Sequence, residues 1–291
     1  MSGLWQDFLS SWPLFWESYL TGLCAAALLA LLGVFAIARR QLFLGVVVAQ
    51  CSTLGIALVL GLAAMGIGGA AHDVLDAPVA HGHLHGLPLI AGVAFALVAA
   101  FLTGSGRRPA EATEALGLWL FVVASSASVL LLAHGPHGLE EIQRLTFSSL
   151  IGADAFDVVK LGGLLAAAIA LLLPLHRSLL LVATEPEFAT ALGLRTGLLR
   201  SAISAAQGIA IGATIHSTGT LFCVANLTLP GLCARRLART MRGTLLLAPA
   251  LALVGNLLAF VLANGFDYPP GQVAAALLAA LTLLAHAVPR R

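Results

Sequence analysis

Side chains able to bind transition metals are concentrated in one stretch of the chain. His72, Asp73 and Asp76 precede His81, His83 and His85, three imidazoles at alternate positions. Imidazole nitrogens beside carboxylates suit borderline divalent ions such as zinc, nickel or copper. A Gly-containing loop of this kind binds loosely and exchanges quickly, which suits capture of an ion more than structural holding. A solvated linker of the same composition is the plainer alternative. His134 and His137, beside Glu140 and Glu141, offer further donors, and His216 stands where an apolar run ends, as a ligand or as a polar cap. Cys24, Cys51, Cys223 and Cys233 all fall inside apolar runs with no C-x-x-C pair. They make neither a disulfide framework nor a zinc ribbon.

Other chemistry is missing. A nucleotide-binding P-loop needs G-x-x-x-x-G-K-[ST], whereas the only lysine, Lys160, is followed by Leu161 and Gly162. There is no H-E-x-x-H and no G-x-S-x-G, so neither a zinc protease nor a serine hydrolase is expected. Carboxylates deep in apolar runs, the usual proton relays of carriers, are nearly absent, since Glu111, Glu114, Asp154 and Asp157 sit near helix ends. The chain is expected to be no enzyme and to hold no permanent cofactor.

The elements that position these residues must be built for lipid. Hydrophobic residues make up 59% of the 291-residue chain and charged ones 10%, and the mean hydropathy is +0.98. A soluble domain carries roughly 25% charged residues, and a surface this apolar cannot be solvated by water. The expected fold is an all-α, polytopic membrane bundle. Apolar stretches long enough to cross the bilayer lie at about 17–38, 42–70, 87–105, 112–134, 157–175, 199–216, 218–234, 243–264 and 271–288, nine in all. Ser178–Ala183 is too short to cross and reads as interfacial. Trp5, Trp12, Trp16 and Tyr19 read as interfacial anchors.

Charge placement fixes the orientation. The first basic residues, Arg39 and Arg40, follow the first span, which puts the N-terminus outside. Nine spans then place thirteen of the fifteen basic residues inside, leaving only Arg144 and Lys160 outside. Fusing the sixth and seventh spans would put the 234–240 cluster, ARRLART, outside. The small excess of positive charge gives no reason to expect nucleic acid; the inner Arg clusters fix topology and meet anionic lipid. Gly208 and Gly212 on the sixth span, and Gly45, Ala49 and Ser52 on the second, offer small faces for close packing. Pro230-Gly231 predicts a kink or break in the seventh.

The inner segment from His176 to Arg200 contains Thr184-Glu185-Pro186-Glu187-Phe188-Ala189 and, four residues on, Gly193. Proline suits a first helical turn, acidic residues favour the positive N-terminus, and Gly193 suits the C-terminal cap. A short helix on the inner face is expected, either free or docked to a partner.

With these residues in view, the chain resembles the membrane permease subunit of zinc/manganese-type ABC importers. The similarity rests on Glu185-Pro186-Glu187-Phe188-Ala189 with Gly193, on Pro230-Gly231-Leu232-Cys233-Ala234-Arg235-Arg236, and on Asp267-Tyr268-Pro269-Pro270-Gly271. In the N-terminal half it rests on Arg39-Arg40, Gly45, Ser52, Leu54-Gly55 and Leu145 to Asp154. The resemblance implies a single permease domain over 1–291, with a cytoplasmic coupling loop at about 176–200 and the outer His-rich loop at about 70–87. It implies a homodimer in a bacterial inner membrane, a separate cytoplasmic ABC ATPase docked at Glu185, Pro186, Glu187, Phe188, Ala189 and Gly193, and an extracytoplasmic metal-binding receptor. The expected cargo is a divalent metal ion, zinc first and manganese next. One departure bears on that cargo. The family commonly sets an Asp and, four residues later, a His on the second span, where this chain has Val46 and Gln50. Valine cannot bind a metal and an amide is a poor ligand for zinc. Cys51 adjoins them as a soft donor, but it points about 100° away round the helix and also reads as packing. A metal chelate as cargo, and a stand-alone channel or carrier, remain the alternatives.

Overall fold

Lipid offers the backbone no hydrogen-bond partner, so an apolar chain of this length satisfies its peptide groups within helices. The computed structural model describes residues 2–64, 86–104, 109–133 and 150–287, and no strand occurs among them. In chain order the helices are α1 (Ser2–Ala38), α2 (Leu44–Ala64), α3 (Gly86–Gly104), α4 (Ala110–Leu132), α5 (Ala155–Thr184), α6 (Pro186–Ala191), α7 (Thr196–Leu237), α8 (Met241–Phe266) and α9 (Pro270–Ala287). A short 3-10 turn, Leu150–Gly152, precedes α5. Among the described residues eight helices are long and apolar enough to cross a membrane; α6 is too short.

The longest of them crosses twice. At Gly219 the backbone takes φ 77 and ψ 166, a region open essentially to glycine alone. Gln207 Nε2 donates to Leu32 O at 3.1 Å, while Leu227 packs so closely on Gly33 that a Cβ there would overlap its carbonyl. A straight helix would hold Gln207 and Leu227 roughly 30 Å apart, at about 1.5 Å per residue. Both instead lie against one turn of α1, so α7 is a hairpin with limbs 196–218 and 220–237. Toward Arg39 the first limb runs backward, to Ser204, and the second forward, to Gly231. Nine crossing segments result among the described residues, the number charge placement required.

α1 and the α7 hairpin form the centre, flanked by α2, α3 and α4 on one side and α8 and α9 on the other. The small faces do what their spacing predicts. Added Cβ atoms at Gly208 and Gly212 would meet the α3 backbone at 3.0 Å (Leu97 Cα) and 2.7 Å (Val93 Cα). Gly45 sits under Leu227, and Ser52 under Gly92.

Three local expectations change. Ser178–Ala183 is not a separate interfacial run: α5 continues to Thr184, with Leu179, Leu180 and Ala183 buried against Phe35, Leu245 and Ala248. The 176–200 loop is accordingly mostly helical. Pro230-Gly231 does not break its helix, since Gly219 is the one non-helical residue of α7, and Gly231 instead admits Ile37. Tyr19 is 7% exposed, stacked on Trp12 and packed on Phe260, so it belongs to the interior while Trp5 and Trp16 stay exposed. Of the second span, residues 44–64 are described, and 65–70 of the expected stretch lie outside the described residues.

Candidate coupling segment and transport path

The inner segment is built by its own backbone chemistry. The Glu185 N–H closes α5 on Leu181 O at 2.8 Å, and the same residue opens α6, with Pro186 in the first turn. At the far end Gly193 takes φ +77; its N–H bonds to Thr190 O at 2.9 Å, and Leu194 N–H to Ala189 O at 3.1 Å. These two bonds make a Schellman cap, which satisfies the last carbonyls of so short a helix. Thr190 ties back to Pro186 O at 2.8 Å and reaches Thr196 at 3.3 Å. Ala189 is fully buried, whereas Glu185 and Glu187 are exposed, as are Phe188 and Leu192, at 55% and 59%. Two carboxylates and two apolar side chains thus stand on a fixed turn, joined to α5 through Glu185 alone.

The inner end of the bundle is tied by Arg39. Its guanidinium donates to Gly104 O at the C-terminus of α3 and to Ser204 Oγ of α7 at 3.2 Å. Burial, helped by nearby Arg200, lowers its pKa to about 10, which still leaves it charged at neutral pH. Gln41 Nε2 bonds Thr103 O at 3.4 Å in the same corner.

On α2, Val46 and Gln50 lie one turn apart, both half-buried. Cys51 is 5% exposed and sits in an apolar cluster with Val47, Val48 and Ala96. Among the described residues no three His, Cys, Asp or Glu side chains come together as a metal cluster. His72, Asp73, Asp76, His81, His83 and His85 lie outside the described residues, as do His134 and His137. His216 is half-buried in the last turn of the first α7 limb.

Two polar groupings escape a reading by motif. Lys160 Nζ lies 2.5 Å from Asp157 Oδ1 and 3.2 Å from Ser217 Oγ, and Ser217 donates to the same carboxylate oxygen at 2.7 Å. The i, i+3 spacing of Asp157 and Lys160 signals the pair, but Ser217 is distant in sequence. Asn226 and Asn256, both fully buried, join α7 to α8 through an Nδ2 to Oδ1 bond of 2.6 Å. Near the Gly219 end of the bundle, a cavity of about 400 Å³ lies between α1, α8 and α9, lined by Tyr19, Phe260, Asn264, Asp267 and Tyr268 among others.

Comparison with known proteins follows the same outline. The model of the ABC 3 transport family matches residues 11–289. A comparison with curated protein sequences returned no match. PsaBC from Streptococcus pneumoniae, solved in complex with Fab, superposes with a TM-score of 0.76 at 16% identity, covering 96% of this chain and 94% of that one. An inward-facing structure described as a metal-chelate type ABC transporter gives a TM-score of 0.70 at 18% identity, over 96% and 89% of the two chains. At such identities these likenesses speak for the shared fold, while the family match spans nearly the whole chain. This helical membrane chain belongs to the ABC 3 transport family, as a transmembrane permease subunit and not the ATPase.

Proposed function

We propose that this permease imports a divalent transition-metal ion, zinc first and manganese next, through a homodimer in the bacterial inner membrane. Two copies of a cytoplasmic ABC ATPase drive it, and an extracytoplasmic metal-binding receptor delivers the ion. The observation that carries the reading is the capped α6 turn, with Glu185, Glu187 and Phe188 exposed and Ala189 anchored, joined through Glu185 to a membrane-crossing helix. Pro186 and Gly193 set its two ends, so a partner gripping it moves α5 as well. No P-loop occurs in the chain, so ATP must be hydrolysed elsewhere.

The cargo reading is supported by the donors at His72, Asp73, Asp76, His81, His83 and His85, which suit capture outside, with His216 as a further donor. A second reading is favoured by Val46 and Gln50. An aliphatic and an amide side chain at the two positions where relatives set Asp and His suit a chelated metal, whose own ligands shield the charge. Gln50 would then line the path by hydrogen bonding, with Cys51 packing behind it.

ATPase stimulation of the reconstituted complex separates the two. Zinc is expected to stimulate above manganese and nickel, and deletion of Ala80 to Gly86 to raise the zinc concentration required. Stimulation by a chelate alone would assign the second reading.

A further inference from the structure

The one lysine of the chain stands where a charge is costly. Lys160 lies on the membrane-crossing α5, with its side chain 12% exposed. A charged group in a span is costly unless it is paired. Its position, in the second turn from the positive end of a helix, is electrostatically unfavourable too. Helix formation therefore gives no account of this residue. Its partners do. Asp157 Oδ1 receives both the ammonium and the Ser217 hydroxyl, and the three groups close a ring between α5 and the outer end of α7. Asp154, the N-cap of α5, fixes Asp157 in place by accepting its N–H at 3.0 Å. Ser217 is two residues from Gly219, where the chain reverses.

Beside the ring Leu161 is fully buried among Ala25, Ala26 and Leu164, while most of the rest of α5 faces outward. Only 11% of its apolar stretch is buried. Just inward of the pair, an added Cβ at Gly162 would find only Cys24 Sγ, at 4.0 Å, and one at Gly163 would find nothing within 4 Å. The charged ring thus stands at the outer edge of an α1–α5 seam packed by Leu28, Leu161 and Leu164. At the other end of this 30-residue helix, α5 runs directly into α6.

We infer that Asp157, Lys160 and Ser217 form an outer latch that ties α5 to the hairpin end of α7 and so keeps α5 seated on α1, and that α5 is the rod through which a shift of α6 strains it. The role of the rod rests on the reading of α6 as the coupling segment; the latch itself does not. A buried pair is suited to the task because it holds while both partners are present and fails sharply when either is lost.

Native Cys24 reports the seating of α5. The full chain, with Cys51, Cys223 and Cys233 replaced by alanine, is placed in lipid vesicles without any ATPase and treated from outside with a charged, membrane-impermeant methanethiosulfonate. Lys160→Met is expected to speed Cys24 modification by at least about tenfold, and Lys160→Arg, which keeps the charge, to stay within about twofold of the parent. Asp157→Asn should match Lys160→Met and replaces it if that variant does not insert. Equal rates in all four chains would overturn the latch, as would an arginine variant as fast as the methionine one. Because no ATPase is present, such a failure leaves the coupling reading standing.

Discussion

Asn256 is fully buried between α7 and α8, donating to Asn226 at 2.6 Å and to Ala252 O at 2.7 Å. Between membrane helices such a bond contributes about 0.6–2 kcal/mol, since lipid offers no replacement for the lost partner. Asn256→Ala is expected to lower the detergent melting temperature, and Asn226→Ala with it to cost less than the sum of the two. Additive losses would show that the amides act separately. Residues of this kind divide by what a single sequence exposes. Gly208, Gly212 and Gly45 were legible because helical spacing alone puts small residues on one face. Asp157 and Lys160 were legible as neighbours, but their bond to Ser217 belongs to the packing of α5 on α7. Tyr19 reads as an interfacial anchor by type, yet the Phe260 and Trp12 rings that enclose it are supplied by tertiary structure.

At the scale of elements, helix ends proved readable where backbone chemistry fixes them and unreadable where hydropathy alone was used. α6 follows from proline, acid and glycine at their proper positions, and its Schellman cap is the direct consequence. Gly193 has φ +77 and nothing within 4 Å, so Gly193→Ala changes the backbone preference and no contact. Alanine in that conformation costs about 1 kcal/mol, which corresponds to roughly fivefold weaker capture of the ATPase. Titrating the ATPase against both chains measures this, with an unchanged melting temperature as the companion result. α5 was cut short by its sequence because His176 and Arg177 interrupt the apolar run. Polar residues end a lipid-facing stretch without ending a helix, and Leu179, Leu180 and Ala183 carry α5 on to Thr184. Pro230 was over-read for a related reason: neighbouring helices can accommodate a proline in a span, and here the turn falls at Gly219 instead.

For the whole molecule, arginine placement was the strongest signal, because it counts crossings without needing any boundary to be right. It separated the two limbs of α7, which their near-continuous apolarity would have fused, and the reversal at Gly219 bears out the count. The path is less legible, since a permease lines it with residues whose neighbours across the molecule are not encoded locally. On the proposed function, this bundle moves its cargo only when a separate ATPase grips α6. The most direct test is co-purification of the full chain with a co-expressed ABC ATPase, comparing wild type with Glu187→Arg. Wild type is predicted to retain the ATPase in stoichiometric amount and Glu187→Arg to lose most of it while remaining folded; equal retention by both chains would contradict the account.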